Sequence, residues 1–204
     1  MIRPGDTLLH YRFDERLGEG SAGEVWRARD ETTGGEVAIK LLSERGSAHQ
    51  GAVSRFAREA RALAALDHPN IVGFRAVERS ENRHLLVMEF VRGRTLDAVI
   101  PPGGLPFERM LELAIPLADA LAAAHAHGIV HRDFKPRNVI VGDDNQPKIL
   151  DFGIAATRAA EPLPDLDAAE TMTLVAPGAL FGTVPFMAPE QAAGAEVDAR
   201  SDLF

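Results

Sequence analysis

Asp133 stands inside the run His131-Arg132-Asp133-Phe134-Lys135-Pro136-Arg137-Asn138, and Asp151-Phe152-Gly153 begins thirteen residues after Asn138. An aspartate that can face a hydroxyl, a lysine two places on, and oxygen ligands for a divalent ion in Asn138 and Asp151 are the parts that phosphoryl transfer from ATP requires. In that chemistry Asp133 orients the attacking hydroxyl and takes its proton, an effect worth roughly 10²–10⁴ in rate. Lys135 neutralises charge growing on the transferred group. Upstream lies Gly18-x-Gly20-x-x-Gly23. Such a pattern also opens dinucleotide-binding folds, where it leads into a helix. Here Val25, Arg27 and Arg29 alternate with Trp26 and Ala28, so a strand follows, which favours a lid of backbone lacking Cβ over phosphates.

The elements that must position these groups are legible in outline. Residues 13–40 read as strands around turns, with Gly34-Gly35 separating two apolar runs, an antiparallel meander. Over 53–66 the apolar residues Val53, Phe56, Ala60, Leu63 and Leu66 recur at helical spacing until His68-Pro69-Asn70 breaks the pattern. Residues 71–77 and 85–91 form a second predicted strand pair across a polar turn. After Pro101-Pro102-Gly103-Gly104, residues 107–127 are helical in pattern with Pro116 inside. Gly128 ends that helix, and short strands are expected at 139–141 and 148–150. The long stretch 154–187, rich in Ala, Pro, Asp and Thr, has the character of a functional loop.

Composition narrows the function classes. With 46% hydrophobic and 25% charged residues the chain can bury a core, as ordinary globular domains do. Its formal net charge of −8 leaves no basic surplus for nucleic acid or an anionic membrane. Cysteine is absent, which removes disulfides and thiolate metal sites and fits a reducing compartment, so the cytoplasm is expected. Nowhere do 18 consecutive apolar residues occur, and the N-terminus lacks the apolar core of a signal peptide. Only three of the 22 basic residues are lysine, Lys40, Lys135 and Lys148, and each lies in a motif. A chain so biased to arginine keeps lysine where a compact ammonium is wanted. His125, His127 and His131 have a spacing open to a metal reading, but His131 belongs to the run around Asp133.

From these motifs the chain resembles the eukaryotic-like protein kinases, in particular their bacterial serine/threonine members, over roughly residues 11–204. The resemblance implies an α+β, two-lobed fold: an antiparallel β-rich N-lobe with one main helix at 13–92, after a lead segment 1–12, and an incomplete, mainly helical C-lobe at 93–204. Val37-Ala38-Ile39-Lys40 matches the family's strand motif. By resemblance Lys40 contacts the α- and β-phosphates and Glu59 fixes its position. Met88 would be the gatekeeper, and the backbone of Glu89 and Val91 would pair with adenine. Val25, Ala38 and Ile140 would line the adenine pocket, under the glycines Gly18, Gly20 and Gly23. ATP and Mg²⁺ (or Mn²⁺), held by Asn138 and Asp151, are the implied cofactors.

Lys135, two places after the aspartate, is the family's serine/threonine pattern, and Thr183 after Gly182 agrees with it. The implied partners are therefore protein substrates bearing Ser or Thr, with self-association for autophosphorylation in trans. Arg132 before Asp133 implies a positive pocket for a phosphorylated activation segment, for which Thr171 and Thr173 are the candidates. Ala188-Pro189-Glu190 closes that segment, and Asp202 is expected to anchor the catalytic-loop backbone. The family continues past Asp202 with further helices, so the chain reads as a fragment of a longer kinase, and Glu190 is expected to lack its usual arginine partner. A membrane anchor in such a continuation stays open. Two other readings compete: a catalytically incompetent ATP-binding or interaction module, and a small-molecule phosphotransferase, against which Lys135 and Ala188-Pro189-Glu190 argue.

Overall fold

The structure is a computed structural model that describes residues 2–20, 23–42, 60, 64, 66–80, 83–150, 152 and 184–204. Six strands form one antiparallel sheet: β1 (Thr7–Leu8), β2 (Tyr11–Gly20), β3 (Gly23–Asp30), β4 (Glu36–Leu42), β5 (Phe74–Ser80) and β6 (Arg83–Glu89), in the order β1-β2-β3-β4-β6-β5. Strand alternation decides what each face carries. Phe13, Trp26, Ala28, Val37, Ile39, Leu85 and Val87 point to one side and form the first core, all at most 3% exposed. Phe13 and Trp26 meet edge-on at 5.8 Å, a favoured arrangement of aromatic quadrupoles. The opposite face carries two cross-strand rows, Val25–Lys40–Leu86 and Arg27–Ala38–Met88. Ala60, within the residues predicted as a helix, is fully buried against this second face with Leu86; the rest of 53–66, apart from Ala64 and Leu66, lies outside the described residues.

The chain then crosses to a smaller antiparallel sheet, β7 (Gly93–Thr95), β8 (Val139–Gly142) and β9 (Pro147–Ile149). Gly93 is required at its edge, because a Cβ there would collide with the Val141 carbonyl. Between β7 and β8 run a short helix α1 (Leu96–Val99) and the long helix α2 (Phe107–Ala126). Helix α2 buries Leu113, Leu117, Ala120, Leu121 and Ala124, the stripe expected of a helix packed on one side. Of these, Leu117, Ala120, Leu121 and Ala124 meet Ile71, Val139, Ile149 and Phe152 in the second core. Gly128, with φ of 72°, turns the chain out of the helix. A 3₁₀ turn at Pro136–Asn138 precedes β8, and a 3₁₀ turn at Val184–Phe186, a short helix α3 (Pro189–Ala192) and a 3₁₀ turn at Ala199–Leu203 complete the described C-terminal part.

One predicted strand differs in its start. The apolar run begins at Ile71, yet β5 begins at Phe74. Ile71 and Val72 are used elsewhere: Ile71 makes a parallel bridge to Ile149, and the Val72 N–H donates to the Ile149 carbonyl at 2.9 Å. Asn70 adds a side-chain bond from Nδ2 to the Pro147 carbonyl at 2.7 Å. Residues 70–72 therefore tie the large sheet to β9.

Candidate active site

The loop from His131 to Asn138 is assembled from the inside outwards. His131 is fully buried. Its Nε2 lies 2.8 Å from the Leu150 carbonyl, which only accepts, so Nε2 carries the proton. Its Nδ1 then accepts from the Asp133 N–H at 3.2 Å. The ring packs against Phe134 at 5.7 Å and Phe152 at 4.9 Å, so Phe134 serves as a wall of the loop core.

Arg132 adopts a left-handed backbone, φ 66°, which costs a non-glycine residue roughly 1–2 kcal/mol. Such a conformation persists where surrounding bonds over-determine it. Asp202, whose side chain is fully buried, accepts from the His131 N–H at 2.8 Å, the Arg132 N–H at 2.7 Å and His125 Nε2 at 2.7 Å. Hydrogen bonds to a charged group are worth about 1.5–3 kcal/mol each, so this carboxylate more than offsets the strain at Arg132. On the other side of Arg132, its carbonyl accepts from Gln191 Nε2 at 2.7 Å.

With its backbone held, the Asp133 side chain is turned outwards and is 38% exposed. Lys135, only 14% exposed, places Nζ 2.8 Å from both Asp133 carboxylate oxygens. Asn138 Nδ2 donates to the Asp133 carbonyl at 2.7 Å and to Oδ2 at 3.0 Å. One amide edge of Asn138 thus faces Asp133, while its Oδ1 takes no hydrogen bond among the described residues. A hard carbonyl-type oxygen beside a carboxylate is a donor set suited to Mg²⁺. Asp151, Glu59, Thr171, Thr173 and Thr183 lie outside the described residues.

The other expected residues sit on the large sheet, at its exit and, for Ile140, on the smaller sheet. Val25, Ala38, Lys40 and Met88 share the face of the two cross-strand rows. Gly18 and Gly20 pair with Val25 and Gly23 across the β2–β3 hairpin. A Cβ on Gly18 would meet nothing within 4 Å, so protein packing does not demand a glycine there and the backbone is open to a ligand. The Glu89 N–H is given to the Gly73 carbonyl at 2.7 Å, which leaves the Glu89 carbonyl as the backbone group of that residue able to accept from a base. Val91 follows two residues later, between β6 and β7. Ile140 lies on β8, paired with Thr95 and Lys148.

Sequence reasoning missed two features. Gln191 touches the catalytic loop directly, and its only sequence signal is its place at the third helical position after Ala188, where a Gln reaches back to the cap N–H. Glu190, expected to be without its partner, receives the Ser201 hydroxyl. That hydrogen bond holds the Glu190 carboxyl below its ordinary value.

An antiparallel sheet set over a smaller sheet whose loop presents an Asp–Lys–Asn cluster defines a two-lobed, kinase-like phosphotransferase fold. Residues 11–204 match the family model described as "Protein kinase domain", and the chain belongs to that family. It is 43% identical to the serine/threonine-protein kinase pkn2 of Myxococcus xanthus, over all of this chain and 24% of that protein. It is 38% identical to the serine/threonine-protein kinase PknB of Mycolicibacterium smegmatis, over all of this chain and 32% of that protein. The chain thus spans about a quarter to a third of these curated relatives. Among solved structures, the PknI kinase domain of Mycobacterium tuberculosis matches with a TM-score of 0.73 and 28% identity, covering 99% of this chain and 72% of that one. Among the described residues no helix is long and apolar enough to cross a membrane.

Proposed function

We propose that the chain is the catalytic region of a protein kinase that transfers the γ-phosphoryl group of ATP to Ser or Thr of proteins, itself included. The observation that carries this reading is the Asp133–Lys135–Asn138 cluster, an outward-facing carboxylate with an ammonium 2.8 Å from both its oxygens. The names of the relatives, serine/threonine-protein kinases, support the same acceptor class.

In this reading the acceptor hydroxyl donates to Asp133, which aims the oxygen at the γ-phosphorus. As the new P–O bond forms, the bond to the β-phosphate oxygen breaks, ADP leaves, and the hydroxyl proton is taken up at Asp133. Lys135 is placed to balance negative charge on the moving phosphoryl group. Lys40, with Glu59 as its partner, is assigned to the α- and β-phosphates. Gly18, Gly20 and Gly23 cover them, while Val25, Ala38, Met88 and Ile140, with the backbone of Glu89 and Val91, take the adenine. Asn138 and Asp151 would hold Mg²⁺ or Mn²⁺, which supplies charge neutralisation for the phosphates.

We assign 13–92 to the N-lobe and 93–204 to part of the C-lobe, after a lead at 1–12, and Thr171 and Thr173, in the segment that also holds Thr183, to activation by phosphorylation in trans. A cytoplasmic site, where ATP is abundant, fits the lack of cysteine. The test is Mg-ATP-dependent phosphorylation of the full-length protein and of casein. Transfer that is abolished in Asp133→Asn while ATP still binds supports the reading. ATP binding without transfer at high enzyme concentration would overturn it in favour of a binding module.

A further inference from the structure

The peptide group joining Arg132 to Asp133 is gripped at both ends. Its N–H, belonging to Asp133, donates to His131 Nδ1 at 3.2 Å. Its carbonyl, belonging to Arg132, accepts from Gln191 Nε2 at 2.7 Å. Any rotation of this plane swings the Asp133 Cα–Cβ bond, and with it the carboxylate that faces the acceptor. The two grips come from different parts of the chain, one inside the loop and one from α3.

Gln191 is suited to this place by its amide. While Nε2 donates to Arg132, Oε1 accepts from the Ala188 N–H at 3.1 Å. One end must donate and the other must accept, so the amide orientation is forced by its two partners. A carboxylate would set an anionic oxygen against the Arg132 carbonyl, and an alkyl side chain would leave both backbone groups without their partner. Asp202, eleven residues further on, holds the N–H side of Arg132 at 2.7 Å. The left-handed turn that aims Asp133 is therefore clamped from outside the loop on both flanks, by Gln191 and Asp202.

We propose that Gln191 is a positioning residue for Asp133, coupling the Ala188-Pro189-Glu190 segment to the aim of the catalytic carboxylate. This rests on the kinase reading above. The side-chain hydrogen bonds of Gln191 among the described residues go to Ala188 and Arg132 and not to the hinge or the glycine-rich hairpin, so it acts on turnover rather than on nucleotide affinity.

The experiment compares the full-length protein with Gln191→Leu, Gln191→Glu and Asp133→Asn, using Mg-ATP and casein as acceptor. Gln191→Leu is expected to lower kcat by about tenfold or more with the KM for ATP within about twofold of wild type. Gln191→Glu is expected to be impaired at neutral pH and to recover relative to wild type as the pH falls, because a protonated carboxyl can again donate to Arg132 while accepting from Ala188. Gln191→Glu preserves side-chain shape, so its pH ratio is readable even if the leucine variant fails to fold. An unchanged kcat in Gln191→Leu, or a Gln191→Glu to wild-type ratio that stays flat with pH, would overturn the inference alone. Wild-type protein that transfers no phosphate, or transfer that survives in Asp133→Asn, overturns the kinase reading and this inference with it.

Discussion

Lys148 on β9 reaches the Glu89 carboxylate at the end of β6, with Nζ 2.9 Å from both oxygens. Glu89 Oε2 also accepts from the Gly73 N–H at 3.1 Å. A single carboxylate thus joins the smaller sheet, the exit of the large sheet and the approach to β5. Of the chain's three lysines, this one braces the connection between the sheets.

Both partners are partly exposed, 21% for Lys148 and 34% for Glu89, so solvent screens the pair. Lys148→Met is expected to lower stability by less than about 1 kcal/mol. Chemical denaturation of the wild type and the variant measures this. A loss of several kcal/mol would mean that the pair carries more of the join than its exposure allows.

Lys135 is different, because its partner is the residue assigned to the acceptor hydroxyl. Lys135→Ala is expected to lower kcat by about 10²-fold or more, the scale for removing one stabilising donor. Steady-state kinetics with Mg-ATP and casein read it, and a variant within a few-fold of wild type would remove Lys135 from the mechanism.

Asp202→Ala takes the acceptor away from the His131 and Arg132 N–H groups, both of which donate to it below 3 Å. Buried donors left unpaired cost about 1–3 kcal/mol each. The expected loss is about 2–4 kcal/mol, measured by denaturant unfolding, and a change under about 0.5 kcal/mol would show that water or a rearranged loop replaces the carboxylate.

Asp30 closes the turn between β3 and β4. Its carboxylate accepts from Thr32 N and Oγ1 at 2.9 and 2.6 Å and from Thr33 Oγ1 at 2.8 Å. Led by the Thr32 hydroxyl, these bonds lower its pKa from 3.8 to about 2. A depressed carboxylate pKa contributes stability that is present above 3.8 and lost as the pH falls through about 2. Asp30→Asn is expected to be less stable than wild type by about 1–2 kcal/mol at neutral pH. The gap should close as the pH drops across that window, and melting curves at a series of pH values check it. A gap that does not change with pH would assign the loss to something other than the charge.

The residues assigned to the chemistry were legible because their types recur at spacings that few other functions need. Asp133, Lys135 and Asn138 come together because a short loop and one 3₁₀ turn leave little choice. The strand faces were legible too, since Val37, Ile39 and Leu41 alternate with Ala38 and Lys40. Apart from Asp202, whose hold on the loop the family resemblance implied, what the sequence could not show was pairing between distant segments. A β-branched run at Ile71 announces extended backbone but not that Ile71 and Val72 bond to Ile149. Gln191 and Ser201 gave no periodic signal, because a polar side chain that reaches one backbone or carboxylate group needs only the right place, not a pattern.

The parallel bridge from Ile71 to Ile149 also sets an order of events during synthesis. The strands of the large sheet have all been translated once Glu89 is made, and its hairpins can close as they leave the ribosome. The strand that residues 70–72 bond to is not yet translated, and at roughly 5–20 residues per second it arrives several seconds later. For that interval the Val72 N–H and the Ile71 backbone wait without the Ile149 partner they bond to in the finished fold, so a slow stretch of codons between Glu89 and Ile149 would lengthen the time before the two sheets are tied.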